Sequence, residues 1–371
     1  MALNKLGLYI EESDARNSNG VLDENAVVGI SAQKELIRTK ADLAGVNLAS
    51  YKLLSPMSFA YVPDTSRRGD KIALAFNTTE ETFLISSIYI VFSVKNDNRL
   101  DPWYLFMYFN RPEFDRYSRF HSWGSARETF NWEDMCDIDI ELPDLPTQQK
   151  YVDIYKAMVA NQQSYERGLE DLKLTIDIEL DSIKHSSPVR PVGDLLREID
   201  VRNTDGSIEE VQGINIFKQF MPSVADTHGV NLRNYKVVKK GQFAYSGMQT
   251  GRDECIRIAL YSGEEPIIIS PAYSVFETKD KSMLKEYIMM WFSREQSDRR
   301  GWFMSDASIR TNLDLERFYE IKIPVPDTKL QAALVELYSA YLSRRNIREK
   351  LKTQIKEICP ILIKGSLEDI K

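Results

Sequence analysis

The sequence predicts an α+β protein in which two mixed α/β globular domains, in a pseudo-two-fold arrangement, are joined by two long antiparallel coiled-coil helices. Three observations predict this fold class. Most of the chain is duplicated, each copy opens with strand-like and short helical patterns, and each copy closes with a long apolar seam of heptad spacing. The order of segments is therefore A-B-A′-B′.

The duplication emerges when the chain is compared with itself. ISSIYIVF at 85–92 and ISPAYSVF at 269–276 share five of eight residues at an offset of 184. IAL at 72–74 matches IAL at 258–260 at an offset of 186, which indicates that one loop differs by two residues. Further matches follow in the same order, at an offset of 183 downstream.

The A segments, 1–143 and 188–325, carry mixed patterns. Runs such as KIALAF and PIIISPAYSVFET are alternating or β-branched and predict strands, whereas DPWYLFMYFNRPEFDRYSRF has helical spacing. The runs DIDIELP and EIKIPVP alternate strictly and end in proline, so they close the two A segments.

The B segments, 144–187 and 326–371, have apolar residues three and four positions apart over nearly their whole length. Helices this long extend beyond a small globular domain, so each must bury its seam on a partner. The first B segment has an acidic excess and the second a basic excess, which favours their packing against each other. The alternative is two ordinary amphipathic helices on separate cores.

Local signals mark the helix ends. Asp144 and Asp327 are predicted N-caps, while HSSP at 185–188 and Gly365 are predicted stops. Pro360 is expected to kink or shorten the second helix near its end.

Composition excludes several classes of protein. With 43% hydrophobic and 28% charged residues the chain reads as an ordinary soluble protein, its apolar runs are shorter than a membrane span, and no export signal is seen, so a cytoplasmic location is expected. Its cysteines and histidines are scattered without metal-ligand spacing. Phosphate-loop, dinucleotide-binding, Asn-Pro-Pro-Tyr and HExxH motifs are missing from the sequence. The cysteines, expected to be reduced and structural, are Cys136, Cys255 and Cys359.

Local phrases resemble those of the specificity subunit of type I restriction-modification enzymes. They include YVPDTSRRGDKIAL at 61–74, HSWGSARE at 121–128, LPDLPTQQKYVDIYKAM at 142–158, GQFAY at 241–245, IALYSGEEPIIISPAYSVF at 258–276 and SDASIRTNLDLERFYEIKIPVP at 305–326. The resemblance covers essentially the whole chain. Family members often show Pro-Leu-Glu-Glu-Gln at the start of each spacer helix; here the glutamine is kept in LPTQQ and DTKLQ, but the acidic pair is not.

The resemblance implies a non-catalytic subunit with target-recognition domains at 1–143 and 188–325 and conserved spacer helices at 144–187 and 326–371. Each domain would read one half of a bipartite, asymmetric double-stranded DNA site. Two methyltransferase (modification) subunits and two restriction/translocase subunits would dock on the scaffold, with no membrane involved. S-adenosylmethionine, ATP and magnesium would belong to those partners.

The net charge of −7 argues against binding DNA by overall charge, so local patches are needed. Loops with arginine, lysine and amide side chains can supply the forked donors that read bases. Arg127 and Arg310 are the preferred candidates; the alternative is that they bridge acids within each domain. The full set of predicted DNA-binding residues is Arg67, Arg68, Lys71, His121, Ser125, Arg127, Gln249, Arg252, Ser308, Arg310 and Asn312.

Other positions have stronger structural alternatives. A packed loop residue is the favoured interpretation of His121, and a solvated helix face is favoured for Arg116, Arg119, Arg299 and Arg300. Arg111 and Arg294 recur on the same helical patterns.

Two other classes of function stay open. In a duplicated hydrolase or nuclease, Asp70 and Asp253 would be paired acids, but neither comes with a histidine, lysine or metal-ligand set. In a coiled-coil adaptor the two α/β domains would bind proteins.

Overall fold

The structure is a computed structural model that describes residues 3–39, 41–65, 71–95, 99–124, 128–223, 229–248, 250–280, 282–306 and 311–369. The chain forms two compact units. Unit 1 comprises Met1–Tyr165 and Ile347–Lys371, and unit 2 comprises Glu166–Asn346. Each unit therefore holds one α/β region and a part of both long helices. Among the described helices, none combines the length and the apolar composition that a membrane crossing requires.

In the described ranges, unit 1 contains ten short strands, three short helices, the first part of one long helix and the last part of the other. The strands are β1 (Asn4–Lys5), β2 (Ile10–Ser13), β3 (Val28–Ile30), β4 (Leu36–Arg38), β5 (Lys52–Leu54), β6 (Ser58–Tyr61), β7 (Leu74–Phe76), β8 (Phe83–Ile85), β9 (Ile90–Val94) and β10 (Asp139–Ile140). The helices are α1 (Pro102–Phe109), α2 (Pro112–Phe120), α3 (Trp132–Cys136) and α4 (Leu145–Ser186), the last of which continues into unit 2.

The central sheet of unit 1 has the order β2-β9-β6-β7, with every pair antiparallel. The other pairs are β1–β10, β3–β4 and β5–β8. Phe59 in β6 stacks on Phe76 and Phe92 of its neighbours, with ring centroids 4.5 and 5.0 Å apart. These rings occupy one face of the sheet, where the core of the unit lies, because side chains alternate along each strand.

Unit 2 repeats this construction with β11 (Val189–Pro191), β12 (Leu196–Ile199), β13 (Gln212–Ile214), β14 (Phe220–Pro222), β15 (Lys236–Val238), β16 (Phe243–Ser246), β17 (Arg257–Leu260), β18 (Ile267–Ile269), β19 (Ser274–Thr278) and β20 (Lys322–Pro324). Its helices are α5 (Val192–Leu195), α6 (Thr250–Asp253), α7 (Lys285–Phe292), α8 (Glu295–Met304), α9 (Leu315–Glu320) and the long α10 (Thr328–Glu368). The central sheet has the order β12-β19-β16-β17, and the pairs β11–β20, β13–β14 and β15–β18 match their counterparts in unit 1. The structure thus confirms the duplication strand by strand.

One detail of the predicted alignment is wrong. Ala75 lies opposite Ala60 in β6, and Ala259 lies opposite Ala244 in β16. Leu74-Ala75-Phe76 is therefore the counterpart of Ile258-Ala259-Leu260 at the unbroken offset of 184, and the two loops have the same length. The matching IAL letters misled the alignment, because strand register is fixed by pairing and burial rather than by identity.

Both long helices begin as predicted. The Asp144 carboxylate accepts a hydrogen bond from the N–H of Thr147 (3.1 Å), and that of Asp327 accepts from the N–H groups of Lys329 and Leu330 (2.9 and 3.0 Å). These N-caps satisfy backbone donors that a helix start leaves without partners.

A buried glutamine then fixes each helix to its α/β region. The amide of Gln148 accepts from the N–H of Asp101 (2.8 Å) and donates to the carbonyls of Arg99 and Pro143 (2.9 and 2.8 Å). Gln331 accepts from the N–H at the start of α7 and donates to the carbonyl of the residue before Asp327. The glutamine that survives in both copies is thus a structural clamp at the helix start.

The two long helices pack against each other within each unit. In unit 1, Val152 and Tyr155 share a buried core with Cys359 and Leu362, and the ammonium of Lys150 lies 2.6 Å from the Asp369 carboxylate. Early residues of α4 therefore meet late residues of α10, as antiparallel packing requires.

In unit 2 the partners are late residues of α4 and early residues of α10. Ile176, Leu180 and Ile183 share a core with Leu334. The alternative of two helices on separate cores is therefore wrong.

The predicted end of the second helix is also wrong. Helix α10 continues through Pro360 and Gly365 to Glu368, whereas α4 stops at Ser186 as predicted. Cys359 and Leu362, on either side of the proline, are buried, and this packing retains the helix despite the lost backbone hydrogen bond. A Cβ on Gly365 would lie 3.2 Å from the Tyr151 ring, so this glycine serves a close helix contact rather than a C-cap.

A buried lysine ties the β3–β4 hairpin of unit 1 to the α1–α2 corner. Lys34 has φ 64°, and its ammonium lies 2.5 Å from the carbonyl of Phe109 and 2.8 Å from the Asp115 carboxylate. In unit 2 Lys218 has φ 60° and repeats both bonds, 2.6 Å from Asp298. A lysine in this left-handed conformation is uncommon, and the duplicated bonds hold it there.

Candidate nucleic-acid interface

In unit 1 the segment after β6 lies beside the segment after α2. Thr65 donates from its backbone N–H and its hydroxyl to the carbonyl of Glu128 (3.0 and 3.1 Å). The N–H of Phe130 donates to the carbonyl of Pro63 (2.9 Å). Both segments flank loops whose residues the sequence predicted to contact DNA. The fold therefore brings the flanking segments of these two loops together, although the loops are some 60 residues apart in the chain. We call these joined segments the loop base.

Unit 2 joins the equivalent segments. The N–H of Leu313 donates to the carbonyl of Gly247 (2.8 Å), and the N–H of Gly251 donates to the carbonyl of Thr311 (2.9 Å). A Cβ on Gly247 would lie 1.9 Å from the carbonyl oxygen of Leu313, so this close approach requires glycine. The hydroxyl of Tyr245 donates to that same oxygen (2.7 Å).

The loop base of unit 2 carries backbone strain and unsatisfied polar atoms. Glu254 and Thr311 have φ of 50° and 44°. The hydroxyl of Thr311 and the Nε of Arg257 are buried without a hydrogen-bond partner in the described part of the chain. Such features concentrate at functional surfaces, which makes this edge of unit 2 the leading candidate for a binding site.

Four of the predicted DNA-binding residues lie within the described ranges, and all four are near these joined segments. Lys71 is exposed just before β7, and Arg252 is exposed within α6, next to the bond between Gly251 and Thr311. His121 lies at the end of α2 with its ring centroid 4.2 Å from that of Tyr117. The histidine is half-exposed beside this ring, and its contact with DNA stays a prediction.

The fourth, Asn312, is bonded through its backbone to Asp306. The two backbones bond at 2.9 Å, and the Asn312 N–H also donates to the Asp306 carboxylate (2.9 Å). The other predicted residues lie outside the described ranges: Arg67, Arg68, Ser125, Arg127, Gln249, Ser308 and Arg310.

Arg111 and Arg294 do not belong to the basic helix faces that the sequence suggested. Arg294 is only 5% exposed and donates to the carboxylates of Asp177 (2.9 Å) and Asp181 (2.7 Å) in α4. Arg111 stacks on the ring of Tyr108, 3.7 Å from its centroid. Arg294 is therefore a buried link between the α7–α8 corner and helix α4.

The remaining helix arginines do face solvent. Arg116 and Arg299 are more than 70% exposed in their side chains, and each pairs with a glutamate of its own helix. Arg119 pairs with Glu128, and Arg300 lies over the ring of Phe303 at 5.7 Å. These exposed pairs hold the arginines only weakly, so a phosphate could replace the glutamates.

The chain matches no protein-family model and no curated protein by sequence. Its structure is similar to the crystal structure of the type I restriction-modification system S subunit from M. genitalium, with a TM-score of 0.58, 13% identity and coverage of 98% of this chain and 95% of that one. This chain has the fold of a type I S subunit. Two further structures cover 98% of the chain: one of type I restriction-modification complex assembly (TM-score 0.47, 12% identity, 98% of that chain) and the HsdS subunit from Thermoanaerobacter tengcongensis (0.37, 13%, 96%). The fold assignment rests on the M. genitalium structure.

Each unit also contains a groove lined by a β-hairpin, a short helix and parts of α4 and α10. The groove in unit 1 has a volume of about 500 Å³ and is lined by β3–β4, α1 and parts of both long helices. The groove in unit 2, lined by the equivalent elements, has about 750 Å³. Lys173, Lys285 and Arg345 line the larger groove from three different helices. Neither groove was predicted, because their walls come from segments far apart in the sequence.

Among the described residues, no candidate metal site is found. In the described ranges, histidines, cysteines and carboxylates do not gather in groups of three that could hold an ion.

Proposed function

We propose that the chain is the specificity subunit of a type I restriction-modification system, which recognises a bipartite, asymmetric DNA site with one half read by each α/β region. The observation that carries the proposal is the duplicated loop base on an S-subunit fold. Both units join the same two loops, yet the residues in those loops differ between the copies. Identical readers would select a palindrome, whereas unlike readers select two unrelated half-sites.

The proposed assignment of the chain follows the sequence. Residues 1–143 and 188–325 are the target-recognition domains, and 144–187 and 326–371 are the spacer helices. The helix packing seen inside each unit supports a role for the helices in fixing the separation of the two half-sites. The chain itself is proposed to be non-catalytic.

Further proposed partners are two modification subunits and two restriction subunits, which would supply the chemistry with S-adenosylmethionine, ATP and magnesium. The two grooves are candidate docking positions for the modification subunits. They occur once per unit, and the cations around the larger groove suit an acidic partner segment.

Selection from a random duplex library tests the proposal, with the chain co-purified with its modification subunits from the host. Enrichment of a split, non-palindromic motif is expected. A complex that enriches no motif would overturn the proposal and favour an adaptor whose α/β regions bind proteins.

Two arginines give a half-site test. Arg127→Ala and Arg310→Ala should each impair recognition of one half of the selected site, because each lies in only one of the two loop pairs. Equal loss at both halves would indicate a folding defect. Binding should also weaken between about 50 and 200 mM salt, since phosphate contacts release counterions.

A further inference from the structure

Each unit exposes a phenylalanine at the same position of one short helix, α2 in unit 1 and its counterpart α8 in unit 2. Phe120 ends α2 and is 73% exposed, and Phe303 lies near the end of α8 and is 76% exposed. The two are counterparts, since α2 begins at Pro112 and α8 at Glu295, which are also 183 residues apart. Single exposed aromatic residues are ordinary, but the same exposure at both copies of a diverged duplication calls for a cause.

The cores of the two units do not use these rings. The inner face of α2 is closed by Phe114 and Ser118, both buried, and the inner face of α8 by Ser297 and Gly301. A Cβ on Gly301 would lie 2.3 Å from the Ile256 side chain, so that face already has close contacts. Neither core needs these phenylalanines. Among the aromatic and cation–π contacts of the described residues, Phe120 contacts only the His121 ring, edge-on (5.1 Å between centroids), and Phe303 only the guanidinium of Arg300 (5.7 Å). Most of each ring is therefore open to an external contact.

Their surroundings point to nucleic acid. Arg116 and Arg119 precede Phe120 on α2, and Arg299 and Arg300 precede Phe303 on α8. The loop pairs described above follow directly, and each edge adds a tryptophan, Trp123 at 64% and Trp302 at 55% exposure. Aromatic side chains next to arginines are suited to binding DNA. The arginines can pair with phosphates, and the aromatic rings can stack on bases.

We propose that Phe120 and Phe303 insert at a base step of the DNA duplex, one in each half-site. The inference rests on the proposed function and deepens it. Because the ring is kept in both copies while the loop residues differ, its contact is independent of base sequence: every base offers a π face, and an apolar wedge opens a base step whatever loop reads the neighbouring bases. The two rings thus deform the duplex, and the loops read it.

The test uses the chain in complex with its modification subunits and a selected duplex carrying 2-aminopurine at successive positions of each half-site. The wild-type complex should raise the fluorescence at one step per half-site. Phe120→Ala should abolish the rise in one half-site and Phe303→Ala in the other, each with binding about tenfold weaker. Phe120→Trp should keep both the rise and the affinity.

Leu8→Ala is the matched control, since Leu8 is an exposed apolar residue of unit 1 (52%) that lies beside Lys95. Lys95 follows the end of β9 opposite to the one that pairs with Tyr61, just before the loop after β6. Leu8→Ala should leave fluorescence and affinity unchanged. Alanine variants with wild-type fluorescence and affinity would overturn the inference alone, as would variants that lose the modification subunits instead of the fluorescence change. A wild-type complex that binds no duplex would overturn the proposed function and this inference with it.

Discussion

The loop after β6 in unit 1 and the loop after β16 in unit 2 begin alike and then diverge. In both, the first bond joins equivalent positions: the carbonyl of Pro63 accepts from Phe130, and that of Gly247 accepts from Leu313. Both units thus have this backbone contact, although the acceptor residue is proline in one and glycine in the other.

The second bond shows the divergence. Its acceptors, the carbonyls of Glu128 and Thr311, are equivalent, but the donor is Thr65 in unit 1 and Gly251 in unit 2, which is two positions further along. The helical turn α6 accommodates that shift. Two loops of equal length therefore carry different residues on a common set of backbone contacts, as the proposed reading of two unlike half-sites would require.

The largest expected effect on stability comes from the buried lysine that both units share. Lys34→Met and Lys218→Met should each lower the free energy of unfolding by about 3 kcal/mol, because each removes the only cation paired with a largely buried carboxylate in the described ranges and leaves that carboxylate with one backbone N–H donor. Burial lowers the pKa of Lys34 and raises the pKa of Asp298, so these charges tolerate isolation poorly. Denaturant unfolding measures both.

Arg197→Met removes an exposed ion pair with Glu277 and is the control, with an expected change within about 0.5 kcal/mol. A large loss of stability in only one of the two lysine variants would mean that the lysine contacts of the two units are not equivalent.

The next effect separates the loops. Gly247→Ala should cost about 2 kcal/mol, because its Cβ would overlap the carbonyl of Leu313 and force the backbone apart. Pro63→Ala at the equivalent position should cost less than about 1 kcal/mol, since it keeps the carbonyl and mainly frees the unfolded chain. Unfolding of the two variants measures the difference, and equal costs would contradict the divergent paths.

A smaller effect concerns the helix clamps. Gln148→Ala should cost about 1.5 kcal/mol, and Gln331→Ala somewhat less, because within the described residues the first glutamine makes three side-chain hydrogen bonds and the second two. Thermal unfolding followed by circular dichroism measures both. The reverse order would show that burial rather than bond number sets the cost.

The smallest effect is specific to unit 2. Lys184 and Arg294 lower the pKa of Asp181 to about 2. A lowered carboxyl pKa stabilises the fold above its unfolded value near 4, and this contribution is lost as the pH falls towards 2. Since the Asp181 side chain is 54% exposed, screening limits the contribution to about 0.5 kcal/mol. Asp181→Asn should therefore be less stable than wild type at pH 5 and equal to it near pH 2; a difference that persists at pH 2 would contradict the ion-pair origin.

Local patterns predicted much of this fold. The long helices and their N-caps depend on residues within one or two turns, so Asp144 and Asp327 could be identified directly. The duplication also predicted that the two units would have the same strand order.

Features that depend on distant partners could not be predicted. The carboxylates that bury Arg294 lie 117 and 113 residues away in the chain, and only tertiary contact shows why α10 continues past Gly365. At the candidate site, the fold joins the segments that flank the loops predicted from sequence, but DNA contact by these loops, including Arg127 and Arg310, stays a prediction.

The most direct test exchanges the loops. Residues 62–73 and 121–129 of unit 1 are replaced by their counterparts 246–257 and 304–312 from unit 2, and the complex selects from a random duplex library. Two copies of the half-site that wild-type unit 2 reads are predicted. A selected site that keeps both original halves would contradict the claim that these loops determine what each unit recognises.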